Sequence, residues 1–103
     1  MSADPRAGIE ALRGRIDALD GRLVELLSER AQCALEVGEL KRALQVAVYQ
    51  PAREREVLDH VCAVNRGPLD DEAMRRLFER IIDEARRLER VAAGIPGTIE
   101  SED

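Results

Sequence analysis

Two cations stand where packing alone does not ask for them. Apolar side chains recur at Ile9, Leu12, Ile16, Leu19, Leu23, Leu26, Cys33, Val37, Leu40 and Leu44, and the one gap in that series is filled by Arg30. A charge forced into an apolar seam needs a counter-charge, because desolvating it unpaired is costly. Lys41 follows eleven residues later, which at 100° per residue returns it to within about 20° of the Arg30 direction. The residue between them on that face is Ala34, which leaves room for a ligand. Arg13 lies about 100° around the same helix, so it serves that pocket only from a second copy laid antiparallel. Arg53 and Glu54 open a later helix, and Glu89 flanks the apolar stripe of the last one. The set has the chemistry of a small inward-facing cationic site suited to an organic dianion.

Taken singly, each residue also has a plainer reading. Arg30 could be an interhelical salt bridge or a register device. Lys41 could be a solvated flank. The Arg53–Glu56 run could be a solvated helix start, and Glu89 a surface partner for the arginines around it.

Other chemistries lack their residues. The chain of 103 residues carries one histidine, His60, and two cysteines, Cys33 and Cys62. That is too little for a disulfide framework or a zinc site, and residues two apart on a helix, such as His60 and Cys62, point different ways. No metal or cofactor is expected. The net charge of −5 argues against a nucleic-acid partner, and aromatics at 2% leave little surface for base stacking or a β-sandwich. No stretch approaches a membrane span, and the opening MSADPRAG has no signal-like apolar core. A cytoplasmic protein is expected. Arginine outnumbers lysine 15 to one. This excess reads as genome composition, but it makes Lys41 conspicuous.

The elements that must position these residues are helical. The series from Ile9 to Leu44 alternates steps of three and four, the seam of a helix that packs along its whole length. Gly14, Gly21 and Gly38 fall off the seam and are expected on the outer face. The Gln45–Gln50 stretch reads as a loop, and Pro51 as the first turn of a second helix that runs to about Asn65 and buries Val57, Leu58, Val61 and Cys62. Gly67-Pro68 stops it. Asp70 and Asp71 start a third helix with the stripe Met74, Phe78, Ile81, Ala85 and Leu88, widened by Leu77 and Ile82. The chain divides into an N-terminal tail (1–6), one helical domain (7–92) and a disordered C-terminal tail (93–103).

The first helix would be about 54 Å long, whereas a compact monomer of this size is about 33 Å across. An apolar seam longer than its own globule needs a second chain to cover it. A two-fold homodimer is the simplest cover.

The segments Leu12-Arg13 through Asp20, Leu26 through Arg30 and Val37-Gly38 through Lys41 resemble the first helix of the all-α chorismate mutases (the AroQ class). Tyr49-Gln50-Pro51-Ala52-Arg53-Glu54-Arg55-Glu56 resembles that family's start of helix two, and Leu77-Phe78 with Ile81-Ile82 its last helix. The resemblance implies an all-α fold, with three-helix protomers and one very long N-terminal helix in an intertwined homodimer with composite sites. It also implies the Claisen rearrangement of chorismate to prephenate in aromatic amino-acid biosynthesis, with no cofactor. Carried over by position, Arg30 and Arg13 of the partner copy would bind the substrate carboxylates. Lys41 would reach a carboxylate and the ether oxygen. Glu54 would hold the ring hydroxyl with Arg53 beside it.

Three positions depart from the pattern. Glu89 falls where many members place a glutamine that donates to the ether oxygen and some place a glutamate, which donates there only while it carries a proton. Ala85 stands where some members have a small hydroxyl residue. Gln50 occupies an often acidic position near the ring-hydroxyl end. These departures bear on substrate identity more than on reaction type. The competing readings are a mutase for 4-amino-4-deoxychorismate, an isochorismate–pyruvate lyase, and a non-catalytic helical dimerisation module.

Overall fold

The computed structural model of the chain describes residues 4–47 and 49–94. They form three helices, α1 (Pro5–Leu44), α2 (Pro51–Val64) and α3 (Asp71–Ala92), with no strand among the described residues. The all-α expectation holds. None of the three helices is long and apolar enough to cross a membrane.

α1 has 40 residues, runs through Gly14, Gly21 and Gly38, and begins before the first seam residue. Pro5 is tolerated at its start because the first-turn amides have no helical acceptor. The helix ends where Gln45 takes a left-handed φ of 60°. There the amides of Gln45 and Val46 donate to the carbonyls of Arg42 and Lys41, which gives two end-of-helix acceptors their partners.

The chain divides into two compact units, residues 1–32 and 33–103. The described part of the first is a stretch of α1. Its seam residues Ile9, Leu12, Ile16, Leu19, Leu23 and Leu26 are each 48–55% exposed in the protomer. The apolar stripe read from the sequence is therefore present and open.

The second unit holds the last turns of α1 with α2 and α3. α2 packs on α3, bringing half-buried Val57, Leu58 and Cys62 and buried Val61 together with half-buried Met74, Phe78, Ile81, Ile82 and Ala85. Leu77 and Leu88 depart from the expected stripe and are exposed. The face that α2 covers is narrower than the stripe.

The corner between α2 and α3 is held by one side chain. Asn65 Nδ2 donates to the Leu69 carbonyl at 2.8 Å and to Asp71 Oδ1 at 3.0 Å, while its Oδ1 accepts from the Gly67 amide. Gly67 has φ 74°, a conformation that glycine adopts without a Cβ penalty. Asp70 caps α3 by accepting from the Ala73 amide at 2.8 Å. Residues 45–47, 49 and 50 are non-helical, as expected, and Pro51 opens α2.

Gly38 corrects the sequence reading. It was expected on the outer face of α1 and is instead the buried residue of that helix. Around it Ala34, Leu35 and Lys41 are half-buried, whereas the seam residues Cys33, Val37, Leu40 and Leu44 are exposed. The last turns of α1 thus use two faces. One is built on Ala34, Leu35 and Gly38, carries Lys41, and packs within the unit. The other is the apolar seam, which stands outside it. The expected C-terminal tail lies outside the described residues from 95 onward, as do residues 1–3 and Val48.

Candidate active site

Glu89 is buried, and its Oε1 lies 3.8 Å from Nζ of Lys41. The two side chains are only 10% and 16% exposed. The last helix and the end of the first therefore place a carboxyl group and an ammonium side by side, largely withdrawn from water. A Cβ added to Gly38 would stand 3.3 Å from Cγ of Glu89 and 3.4 Å from Oε1, so the absent side chain spares the carboxylate a tight contact with α1. Glu89 Oε1 is buried and accepts no hydrogen bond among the described residues. A buried acceptor without a donor is costly, and such a group in a native protein calls for an explanation. The surface-partner reading of Glu89 fails, because its ionic neighbour is Lys41 on another helix.

Glu54, in the first turn of α2, meets α3 through Arg86. Arg86 Nη2 lies 3.1 Å from Glu54 Oε2 and 2.8 Å from Asp83 Oδ1. The Arg86 guanidinium carbon stands 4.9 Å from the centroid of the Tyr49 ring, within the range in which a ring face attracts a cation. Helix entry fixes this end of the site. Pro51 starts α2 and Gln50 is its N-cap residue, with extended backbone and no side-chain cap bond.

The remaining expected residues have surroundings of their own. Arg53 is exposed and pairs with Glu56 at 3.2 Å. Gln50 is exposed, and Ala85 is half-buried and offers no hydroxyl. In the first unit, Arg13 is exposed and pairs with Glu10 at 3.5 Å, while Arg30 is half-buried. The second unit thus joins Lys41 with Glu89, and Glu54 with an arginine that the sequence reading did not place in the site. Arg86 had a usable signal. It lies four residues after Ile82 and three before Glu89, on the edge of the buried stripe of α3. Gly38 had one too, four residues after Ala34 and three before Lys41.

A half-buried ammonium beside a buried carboxylate, in one unit with a second carboxylate held by a guanidinium, can bind and orient a polar anion. Residues 12–90 match the profile of the family described as chorismate mutase type II. The chain belongs to that family. A bifunctional chorismate mutase/prephenate dehydratase of Stutzerimonas stutzeri is 46% identical over 86 residues, covering 79% of this chain and 24% of that protein. A 4-amino-4-deoxychorismate mutase of Streptomyces pristinaespiralis is 37% identical over 83 residues, covering 79% of this chain and 64% of that protein. The chain spans about a quarter of the length of the bifunctional relatives it matches. Among solved structures, a chorismate mutase (form II) from Thermus thermophilus superposes with a TM-score of 0.78 at 39% identity, covering 80% of this chain and 93% of that one. A chorismate mutase from Helicobacter pylori, in complex with prephenate, gives 0.79 at 28% identity, covering 85% and 96%.

Proposed function

We propose that the chain rearranges chorismate to prephenate for aromatic amino-acid biosynthesis, as a cytoplasmic homodimer whose sites take residues from both copies. The observation that carries this reading is the buried Lys41–Glu89 pair at 3.8 Å, in a chain of the chorismate mutase family. The reaction is intramolecular. The ether C–O bond breaks as a C–C bond forms, and no atom enters or leaves. It needs no nucleophile and no net proton transfer. A catalyst has two tasks: to hold the dianion in its compact reactive shape, and to stabilise negative charge growing on the ether oxygen.

Arg30 and the partner subunit's Arg13 hold the substrate carboxylates, since a guanidinium matches a carboxylate with two parallel N–H donors. Lys41 reaches a carboxylate and the ether oxygen. Glu54 accepts from the ring hydroxyl, with Arg53 and Gln50 lining that end and Ala85 filling space. Glu89 donates to the ether oxygen while protonated, because an ionised carboxylate there would oppose the developing charge. The open apolar seam of α1 supports the dimer, since six half-exposed seam residues on one helix call for a covering chain.

The test is a spectrophotometric assay of purified protein with chorismate, isochorismate and 4-amino-4-deoxychorismate in parallel. Consumption of chorismate with formation of prephenate is expected. Consumption of isochorismate alone would make the protein a lyase, and consumption of none would make it a dimerisation module.

A further inference from the structure

Arg86 has no role in the mechanism above, yet it is the most engaged cation of α3 among the described residues. Its side chain is 21% exposed and that of Glu54 27%, so the pair they form at 3.1 Å is largely withdrawn from water. Its other carboxylate neighbour, Asp83, is 60% exposed and well screened. The Tyr49 ring, 4.9 Å from the guanidinium carbon, braces the group from the loop before α2. Arg86 is therefore fixed by three elements at the carboxylate that faces the ring substituent.

We propose that Arg86 is a specificity-determining positioning residue: paired with Glu54, it makes the ring-substituent end of the site accept a neutral hydroxyl and reject an ammonium. The proposal rests on the mutase reading, in which Glu54 accepts from that substituent.

The reasoning is electrostatic. A carboxylate with no cation beside it attracts a hydroxyl as an acceptor and an ammonium as a counter-charge as well. A guanidinium bonded to the same carboxylate changes only the second term. Any group hydrogen-bonded to Glu54 lies within about 6 Å of Arg86, one donor–acceptor distance beyond the pair. A hydroxyl carries no net charge and is little affected. An amine on a saturated ring carbon is protonated near neutral pH, so it meets a fixed like charge that cannot be removed by deprotonation. A carboxylate retains acceptor capacity after one bond to Arg86, so hydroxyl binding survives. The gain for the hydroxyl substrate is relative and appears as a ratio between substrates.

The experiment compares kcat/KM for chorismate and 4-amino-4-deoxychorismate with the full chain, in the wild type, Arg86→Gln and Arg86→Lys. The wild type is expected to prefer chorismate by tenfold or more. Arg86→Gln is expected to move the ratio at least tenfold toward the amino compound, and Arg86→Lys, which keeps the charge, to stay near the wild-type ratio. A plain α2–α3 brace would lower thermal stability and affect both substrates alike. A measurement on the wild type alone covers the case in which the glutamine variant does not fold. Between about pH 7 and 10.5 a growing share of the amine loses its proton, so the ratio should shift toward the amino compound as pH rises, with enzyme ionisations common to both substrates cancelling. An unchanged ratio in Arg86→Gln, or a flat ratio against pH, overturns the role of Arg86 while leaving the mutase reading intact. Turnover of neither substrate by the wild type overturns the mutase reading, and this assignment with it.

Discussion

Glu89 lies against the bare backbone of Gly38, close enough that a methyl group there would press on its Cγ at 3.3 Å. The contact ties a helix-weakening residue to the placement of a site carboxylate. Glycine in a helix interior costs about 1 kcal/mol relative to alanine, and here that cost accompanies the approach of Glu89 to Lys41.

Gly38→Ala should therefore separate stability from activity. The methyl would stand 3.3 Å from Cγ of Glu89, so the carboxylate must give way by a few tenths of an ångström. The gain in helix propensity, about 1 kcal/mol, offsets the crowding, and Tm should change little. The displacement falls on Glu89 and should lower kcat/KM by about tenfold, since small misplacements in a positioned site are expensive. Gly21→Ala is the control. Nothing lies within 4 Å of its added Cβ among the described residues, so it should raise Tm without affecting kcat/KM. Equal activity of the two variants would detach Gly38 from the site.

A donor at position 89 is testable by substitution. If that side chain donates to the ether oxygen, Glu89→Gln should keep kcat/KM within about tenfold of the wild type, because an amide also donates. Glu89→Ala, which has no donor, should lose about a hundredfold. The measurement is kcat/KM for both variants and the wild type. Equal losses in the two variants would show that no donor at position 89 is used in the reaction.

The sequence made the long helix legible because its apolar side chains repeat over many turns, and only a helix packed along its length sustains that period so far. The Arg13, Arg30 and Lys41 spacing was legible because one of these cations interrupts that series. Gly38 was misplaced because hydropathy gives no weight to a missing side chain, so the approach of Glu89 to α1 left no apolar signature at that position. Arg86 was hidden for the opposite reason. On an arginine-rich helix a polar residue reads as solvated, and its place on the edge of the apolar stripe does not say which carboxylate will hold it. Leu77 and Leu88 read as core because a stripe on one helix does not reveal how wide a partner will cover it.

The Lys41–Glu89 pair separates a stability effect from a catalytic one. Lys41→Ala should lower kcat/KM by about a hundredfold or more, the scale of a lost charge-assisted contact in the transition state. It should also destabilise the fold, because it strips a carboxylate that is 10% exposed of its ammonium partner. Adding Glu89→Gln removes the stranded charge. The double variant should recover most of the lost Tm and none of the lost rate. Recovery of rate along with Tm would mean that Lys41 acts on the fold and not on the substrate.

Arg13 and Arg30 make the composite site testable by mixing. Each alanine variant alone should lose about two orders of magnitude in kcat/KM. If Arg13 serves the other copy's Arg30, subunit exchange between the two variants creates heterodimers in which one site has both arginines and the other has neither. Activity should then rise well above either parent. A mixture that stays at the parental level after verified exchange would confine Arg13 to its own copy, leaving it the exposed partner of Glu10 seen in the protomer.

The seam tests the dimer itself. Leu19 and Leu23 are among the half-exposed seam residues of α1, in a stretch that the described part of the first unit leaves without any other packing element. If a second copy covers them, the apolar core of this region is shared between chains, and folding is inseparable from association. Leu19→Glu or Leu23→Glu would bury a carboxylate against the partner's seam without a counter-charge, at a cost of several kcal/mol, in both halves of a two-fold contact. The expected result is loss of helical circular dichroism and of activity together. Sedimentation velocity with circular dichroism on the same sample decides the matter. A folded, helical monomer from either variant would show that the protomer stands alone and that the long seam is covered by something other than its own copy.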